Sequence, residues 1–275
     1  MRYIFFATAL LAAVLFQGCS NRDESNDTNT TQTIDPSAQT LELNIETDEL
    51  PENNETTVTV TTADGRDITA NRSLVWHVSD RNATEINGTT LIAKAEGTVT
   101  LQAQMGSEYS QEQNITIYKI IHGHRLPPEP DPKINNSTLL GIDSNNNGVR
   151  DDVERAIYFR YQRPIEQAFM MQYATRYPIV LEDPEGAAAS KPLEQEHWNL
   201  YSCWGYLDRF KNIEMPDDDV DFMENAYFNT RERMKAYIKF NDAMSGGVYH
   251  IPIHDKDMQK ENCDFNITMM LEMEK

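Results

Sequence analysis

The sequence has few basic residues, and this shortage limits its possible partners. Only 24 Lys and Arg oppose 44 Asp and Glu, so the formal net charge is −20. An acidic surface of this kind repels phosphate backbones, so we expect no nucleic-acid partner. The same charge attracts cations, although much of it serves solubility alone.

Familiar catalytic motifs are also missing. The chain contains no G-x-S-x-G elbow, no H-E-x-x-H zinc helix and no phosphate-binding loop. His197 beside Glu196, and the pair His250 and His254, are the remaining candidates for an acid–base or zinc site. Pro252 separates the last two histidines, so they do not share one helix face. We therefore expect a non-enzymatic protein without catalytic residues. An envelope hydrolase or a metal-dependent enzyme, with its site in the helical region, is the alternative.

The N-terminus has the pattern of an export signal. A basic start at Arg2 precedes the apolar run 3–16, which is too short for an ordinary transmembrane helix. Gly18 then stands directly before Cys19, as in the cleavage box of bacterial lipoproteins. This resemblance implies a signal peptide over 1–18, palmitate on Cys19 and, because Ser20 follows, an outer-membrane lipoprotein facing the periplasm or the cell surface. The alternative is an ordinary secretory signal with a chance cysteine.

A polar segment and a β-rich region follow. Residues 19–40 have almost no apolar side chains and cannot bury a core, which predicts a disordered tether. Over 41–120, runs such as TTVTVTT and QNITIYK alternate apolar and polar side chains, and turn-forming segments such as ADGRD separate them. This period and spacing predict a β-sandwich.

Two stretches of this region resemble a known family. VWHVSD (75–80) and LIAKAEGTVTLQAQ (91–104) are similar to the bacterial immunoglobulin-like group 2 domain of invasin- and intimin-type surface proteins. The resemblance implies a sandwich with Trp76 in its core and with Gly97 at a turn between strands. NATEIN (82–87) departs from the family's apolar strand. The fold by itself carries no catalytic site.

A proline-rich stretch separates the β-rich region from the rest of the chain. Four prolines between His122 and Lys133 predict a stiff, extended linker over 121–136. His122 and His124 are two residues apart and have no third ligand nearby in the sequence, so we predict no metal there.

The segment DSNNNGVRDDVE, residues 143–154, sets eight oxygen-bearing side chains around one glycine. It fills every place of the calcium-loop template D-x-[DN]-x-[DN]-G-x5-E, in which Gly148 permits the sharp turn. Calcium takes six to eight oxygens at about 2.3–2.6 Å. We therefore predict a calcium site with six ligands: Asp143, Asn145, Asn147, the carbonyl of Val149, Asp151 and Glu154.

The flanks of this loop resemble the aspartate-rich repeats of thrombospondin type 3 more than an EF-hand. Arg150 stands where an EF-hand has an apolar residue, and PKINNSTLL is a poor first helix. The resemblance implies a loop that opens a single helix. A ligand charge of about −3 predicts weak binding, with a dissociation constant of about 10⁻⁴–10⁻³ M. The alternative is a polar turn in which Asp151 and Asp152 cap a helix.

From Asp152 onward the apolar period is helical, which predicts a small helical bundle over 137–275 opened by the calcium loop. Pro164 ends or kinks the first helix or starts a new one. We expect a loop over 181–192 and a further helix around 200–207. Another helix begins at Pro216 and turns these residues inward: Val220, Met223, Tyr227, Met234 and Ile238 or Tyr237.

The cysteine count predicts one bridge. If Cys19 is acylated, Cys203 and Cys263 remain, and an even pair in an exported protein usually forms a disulfide. Two reduced, buried thiols are the alternative. The order of tether, spacer and helical domain suggests a head that binds a protein or cell-surface ligand.

Overall fold

A computed structural model describes residues 41–214, 219–247 and 254–275. The predicted signal peptide, the tether, Cys19 and His250 lie outside these ranges. The described residues belong to one compact unit, with strands first and helices after them, which confirms the predicted β + α class. Within the described ranges, every helix is too short or too polar to cross a lipid bilayer.

The strands follow from the alternating pattern of the sequence. In TTVTVTT, for example, Thr56, Val58 and Val60 are buried while their neighbours are not. The strands are β1 (Leu41–Ile45), β2 (Glu49–Pro51), β3 (Glu55–Thr62), β4 (Leu74–Val78), β5 (Thr84–Asn87), β6 (Thr90–Ala93), β7 (Gly97–Met105), β8 (Glu108–Tyr109), β9 (Gln113–Tyr118), β10 (Ile120–Ile121) and β11 (His124–Arg125).

Two larger sheets and one hairpin make up this region. The first sheet has the order β1-β3-β6-β5, and all its pairs are antiparallel. The second has the order β2-β9-β7-β4, with β8 added to β7 and with β2 parallel to β9. β10 and β11 form the hairpin. Both larger sheets contribute to one apolar core, to which each fully buried Val or Leu adds about 1.5–3 kcal/mol.

The segments that carry the family resemblance lie in this core. Trp76 on β4 is partly buried against it, and Gly97 opens β7 with φ of +144°. NATEIN forms β5 despite its polarity, because Thr84 is buried and Ile86 packs on the core.

The proline-rich stretch is ordered by contacts with its surroundings. Leu126, Pro127 and Pro130 are buried, and the hairpin β10–β11 precedes them. At its end, the Asp131 carboxylate accepts hydrogen bonds from the backbone of Lys133 and Ile134, which starts a short helix.

Proline and polar caps set most helix starts. Pro164 begins a new helix, while Ser190 and Thr230 cap two others with their hydroxyl groups. The helices are α1 (Pro132–Asn135), α2 (Asp151–Arg160), α3 (Pro164–Ala174), α4 (Tyr177–Glu182), α5 (Pro184–Ala189), α6 (Lys191–Lys211), α7 (Asp219–Tyr227), α8 (Arg231–Met244) and α9 (Ile267–Glu272).

Two expectations about this region are wrong. Residues 181–192, predicted as a loop, include α5 and the start of α6, because Asp183 caps Gly186 and three alanines follow it. The predicted helix after Pro216 is divided: α7 ends at Tyr227 and α8 starts at Arg231. The interruption shifts the apolar face of α8 relative to that of α7, which explains why Met234 and Ile238 are exposed. Val220, in the first turn of α7, is exposed as well.

The C-terminal tail is held on α6. Cys203 and Cys263 lie at disulfide distance, with their Cα atoms 5.0 Å apart. Beside them, the Ser202 hydroxyl oxygen accepts hydrogen bonds from the Gln259 backbone at 3.0 Å and the Asn262 amide at 2.8 Å. The cysteine pair and a buried polar contact thus lie at the same turn of the tail.

We expect the double variant Cys203→Ala, Cys263→Ala to lower the free energy of unfolding by about 4 kcal/mol, because the pair closes a loop of 60 residues. Urea denaturation under non-reducing conditions measures this change. Reduced wild-type protein should match the variant, and equal stability of the variant and the oxidised wild type would contradict the disulfide.

Candidate metal centre

The oxygen-rich loop turns sharply before it enters α2. Asn146 and Gly148 have positive φ values, of 55° and 82°. A Cβ at Gly148 would meet no atom within 4 Å, so the backbone conformation itself favours glycine there. The Asp151 backbone N–H donates to the Ile142 carbonyl at 2.8 Å, which closes the base of the loop.

Three of the predicted ligands meet at one side of the loop. The Asn145 and Asn147 amides donate to the same Glu154 carboxylate oxygen, at 3.1 and 2.6 Å. Their amide oxygens accept from the backbone of Asn147 and Val149, at 3.2 and 2.9 Å. Each amide oxygen keeps a second lone pair for a further partner.

The other two acidic ligands are oriented by backbone groups. The Asp143 carboxylate accepts hydrogen bonds from the N–H groups of Asn147 at 3.2 Å and Gly148 at 2.9 Å. Asp151 accepts one from the Ser144 N–H at 2.9 Å. These bonds hold both carboxylates against the turn of the loop.

Charge in the loop is poorly compensated. Asp151 and Glu154 are only 1% and 0% exposed. Burial, together with the charges of Asp143 and Glu154, raises the pKa of Asp151. Within the part of the chain that the structure describes, neither Asp143 nor Asp151 forms an ion pair with Lys or Arg, and Glu154 is paired with His124. A cation bound in this loop would offset the uncompensated negative charge.

The donor chemistry fits calcium in part. All predicted ligands offer oxygen, the element that calcium prefers, and Asn145 and Asn147 lie at the surface above buried Glu154. Among the described residues, however, no three His, Cys, Asp or Glu side chains gather as a metal cluster. Only three of the six predicted ligands are carboxylates, so the set depends on two amides and the Val149 carbonyl.

Arg150, which occupies an apolar place of the EF-hand, anchors the loop to α7. Its guanidinium donates to the carbonyl oxygens of Ala226 at 2.6 Å and Tyr227 at 3.2 Å, and to the Asp152 carboxylate at 2.5 Å. The last carbonyls of a helix have no partner within the helix. A buried cation therefore completes the end of α7 and fixes the loop at the same time.

Arg233 holds the segment that precedes the loop. It is 0% exposed, and burial, with repulsion from Arg150, lowers its pKa to about 10. Gly141 has φ of +75°, and any Cβ there would overlap Arg150 and Arg233. The Arg233 guanidinium donates to five neutral oxygens, at 2.6–3.1 Å: the carbonyls of Asn135, Thr138 and Leu139 and the amides of Asn136 and Asn229.

Sequence reasoning missed this role of Arg233. The arginine lies more than 90 positions from most of its acceptors, so no local pattern connects them. The one available signal was Arg150, a charged residue at a place where an apolar one is usual.

Two consecutive residues of α2 join the loop to the β-rich region. Glu154 contacts His124 of β11 at 2.5 Å, and that imidazole stacks on Tyr158 with centroids 4.3 Å apart. Arg155 donates to the Glu129 carboxylate at 2.5 Å, to the Pro127 carbonyl at 2.8 Å and to Glu96 at 3.0 Å. A change in the loop would therefore act directly on this junction.

The alternative catalytic residues are not brought together by the described contacts. His197 Nδ1 lies 2.5 Å from Arg176 Nη1, and partial burial and the Arg176 charge lower the pKa of His197 to about 4. His254 is exposed, and the neighbouring Asp255 pairs with Arg209. In the described ranges, His197 contacts a cation instead of a carboxylate.

Comparison with known proteins adds no family to these observations: no family model matches the chain, and no curated protein is similar to it in sequence.

We predict that Arg233→Lys lowers the free energy of unfolding by about 2–4 kcal/mol, because a lysine has three donors and leaves buried oxygens unsatisfied. Urea denaturation gives the value. Arg231→Lys, at an exposed position two residues earlier, should change stability by less than about 0.5 kcal/mol. Equal effects of the two substitutions would refute the role of Arg233 in holding the segment before the loop.

Proposed function

We propose that this chain is a non-enzymatic cell-envelope lipoprotein. In this proposal an immunoglobulin-like β-sandwich serves as a spacer and presents a calcium-stabilised helical domain for binding or structural support. The observation that carries the proposal is the meeting of Asn145 and Asn147, from an acidic surface loop, with the buried Glu154 carboxylate. Oxygen donors of this kind, with little compensating charge, suit a divalent cation.

The sandwich is supported by the shared core of the two larger sheets. Val58 and Leu91 of the first sheet and Leu101 and Ile115 of the second are all completely buried in it. Two sheets that cover one apolar core are the basis of sandwich folds. A domain of this type has no catalytic site of its own, which suits a spacer.

Calcium is supported by the prepared shape of the loop. Gly148 and the backbone N–H groups already hold the turn and the Asp143 carboxylate, so the loop backbone needs little ordering on binding. The Asn145 and Asn147 amides, which donate to Glu154, would have to turn their oxygens toward the ion. The ion would be held by Asp143, Asn145, Asn147, the Val149 carbonyl, Asp151 and Glu154. When bound, its two positive charges would offset most of the ligand charge of about −3. This would relieve the repulsion from Asp143 and Glu154 that adds to burial in raising the pKa of Asp151.

The position of the loop suggests what the ion does. Glu154 and Arg155 are neighbours on α2, and the second contacts Glu96 in the β-rich region. Fixing Glu154 would therefore also fix the side of α2 that faces this region. In this proposal calcium stiffens the junction between spacer and helical domain.

The lipid anchor defines the remaining partners. Acyl chains on Cys19 would anchor the protein in a lipid bilayer, because each buried methylene contributes about 0.8 kcal/mol. In this proposal the bilayer is the outer membrane, since Ser20 follows the cysteine. A protein or cell-surface ligand would bind the helical domain, and the acidic surface argues against nucleic acid. An envelope hydrolase or metal-dependent enzyme has less support, since His197 contacts Arg176.

Calcium at 10 mM should raise the free energy of unfolding by about 1.4–2.7 kcal/mol, as expected for a dissociation constant of about 10⁻⁴–10⁻³ M. Thermal and urea denaturation, with calcium or with a chelator, measure the gain. Asp143→Ala should abolish it, because one charged ligand is lost.

Asp208→Ala removes the same charge from the exposed face of α6 and should leave the calcium gain intact. If 10 mM calcium stabilises neither the wild-type protein nor this control, the metal assignment is wrong.

Replacement of Cys19 by serine tests the anchor. We expect Cys19→Ser to lose incorporation of an alkyne-labelled palmitate analogue and to move from the membrane to the soluble fraction. Cys203→Ser should keep the label, since it leaves the lipidation box unchanged. Labelled Cys19→Ser protein would rule out the proposed anchor.

A further inference from the structure

Arg176 differs from the other buried arginines. Among the described residues, Arg176 is buried, as are Arg150, Arg155 and Arg233. Arg150 and Arg155 pair with carboxylates, and Arg233 donates to five oxygens. Arg176 is 7% exposed and, within the described ranges, forms no ion pair with an acid.

The hydrogen bonds of Arg176 reach neutral groups. Nε reaches the Tyr173 carbonyl at a long 3.4 Å, and Nη1 contacts His197 Nδ1 at 2.5 Å. The Tyr173 side chain is a further hydrogen-bond partner, so every partner of Arg176 among the described residues is a neutral group. A buried cation whose partners are all neutral calls for an anion.

His197 extends the same donor surface. Because arginine has no acceptor atom, Nδ1 of His197 must accept, which makes the imidazole neutral with its proton on Nε2. His197 lies on the exposed side of α6 with its ring partly buried beside Arg176, and Nε2 is the ring nitrogen that Arg176 does not contact. Arg176 and the neutral His197 thus present N–H donors side by side, and together they carry one positive charge, that of Arg176.

Aromatic rings flank this pair. The Arg176 guanidinium lies 4.5 Å from the centroid of the Tyr173 ring, and the His197 ring is in edge contact with Tyr201 at 4.8 Å. Tyr201 in turn faces Trp204, which is partly exposed, with centroids 6.3 Å apart. An apolar group attached to an acceptor would find contact area here.

We propose that Arg176 and His197 form a recognition site for a carboxylate that carries an apolar group. One positive charge matches the single negative charge of a carboxylate, and burial strengthens their attraction. A phosphate dianion would add excess negative charge to a protein of net charge −20. The site lies outside the calcium loop and does not depend on the proposed function.

The carboxylate has two possible sources: a small organic acid or the C-terminus of a peptide. Both share the group that Arg176 would bind, and they differ in the contacts that the rest of the ligand makes. Benzoate represents the first source, and N-acetyl-alanyl-phenylalanine with a free C-terminus represents the second. Benzamide and the amidated dipeptide are the uncharged counterparts.

The ring signals of His197 provide the measurement, recorded by NMR on the whole folded protein and assigned with His197→Asn. We expect a saturable shift with benzoate or the acidic dipeptide and none with the amides. The apparent affinity of Arg176→Met should fall at least tenfold, because the cation is lost. Arg209→Met, which removes an exposed arginine paired with Asp255, should bind like the wild type.

Several outcomes would overturn the proposal. These are the absence of a saturable shift with both acids at 50 mM, equal responses to acids and amides, and tighter binding of inorganic phosphate than of benzoate. If Arg176→Met does not fold, the comparison of acids with amides on the wild-type protein still decides. A stronger response to either acid supports the site and identifies the source of its ligand.

Discussion

The contact between Glu154 and its surroundings is the constraint on which the rest of the structure depends. This carboxylate is completely buried at the start of α2, where the Asn145 and Asn147 amides meet it from the loop and His124 meets it from β11. A buried carboxylate must have its acceptor sites filled, so the loop, the helix and the hairpin are held together. Arg155, the next residue, extends this junction to Glu96.

Buried arginines link several distant segments of this acidic chain through hydrogen bonds. Arg150 completes the end of α7, Arg155 joins α2 to the β-rich region, and Arg233 secures the segment before the loop. Each group has its donors occupied by fixed oxygens, as burial of a charge requires. Arg176 is buried like these three arginines, but its close contact is the imidazole of His197 and not an oxygen. This contrast separates three arginines that hold the fold from one with capacity for a ligand.

Local patterns predicted a large part of the fold. Alternation in TTVTVTT predicted β3, the helical period of apolar residues from Asp152 onward predicted α2, and the turn-forming segment ADGRD follows the end of β3. The errors occurred where a cap outweighed the pattern: Asp183 starts α5 in an expected loop, and Thr230 starts α8 after an interruption. Both caps are single side chains whose effect depends on backbone conformation, which a pattern of apolar residues does not report.

By itself, the sequence determined the order of strands before helices and the oxygen-rich composition of the loop, because both depend on neighbours within a few positions. Only the tertiary structure decided which groups meet across long separations. It placed Arg233 on carbonyls of Asn135 and Thr138, and His197 on Arg176. The physical reason is that the long, flexible stem of arginine can carry its guanidinium to acceptors in distant segments, so packing and not sequence spacing selects the partner.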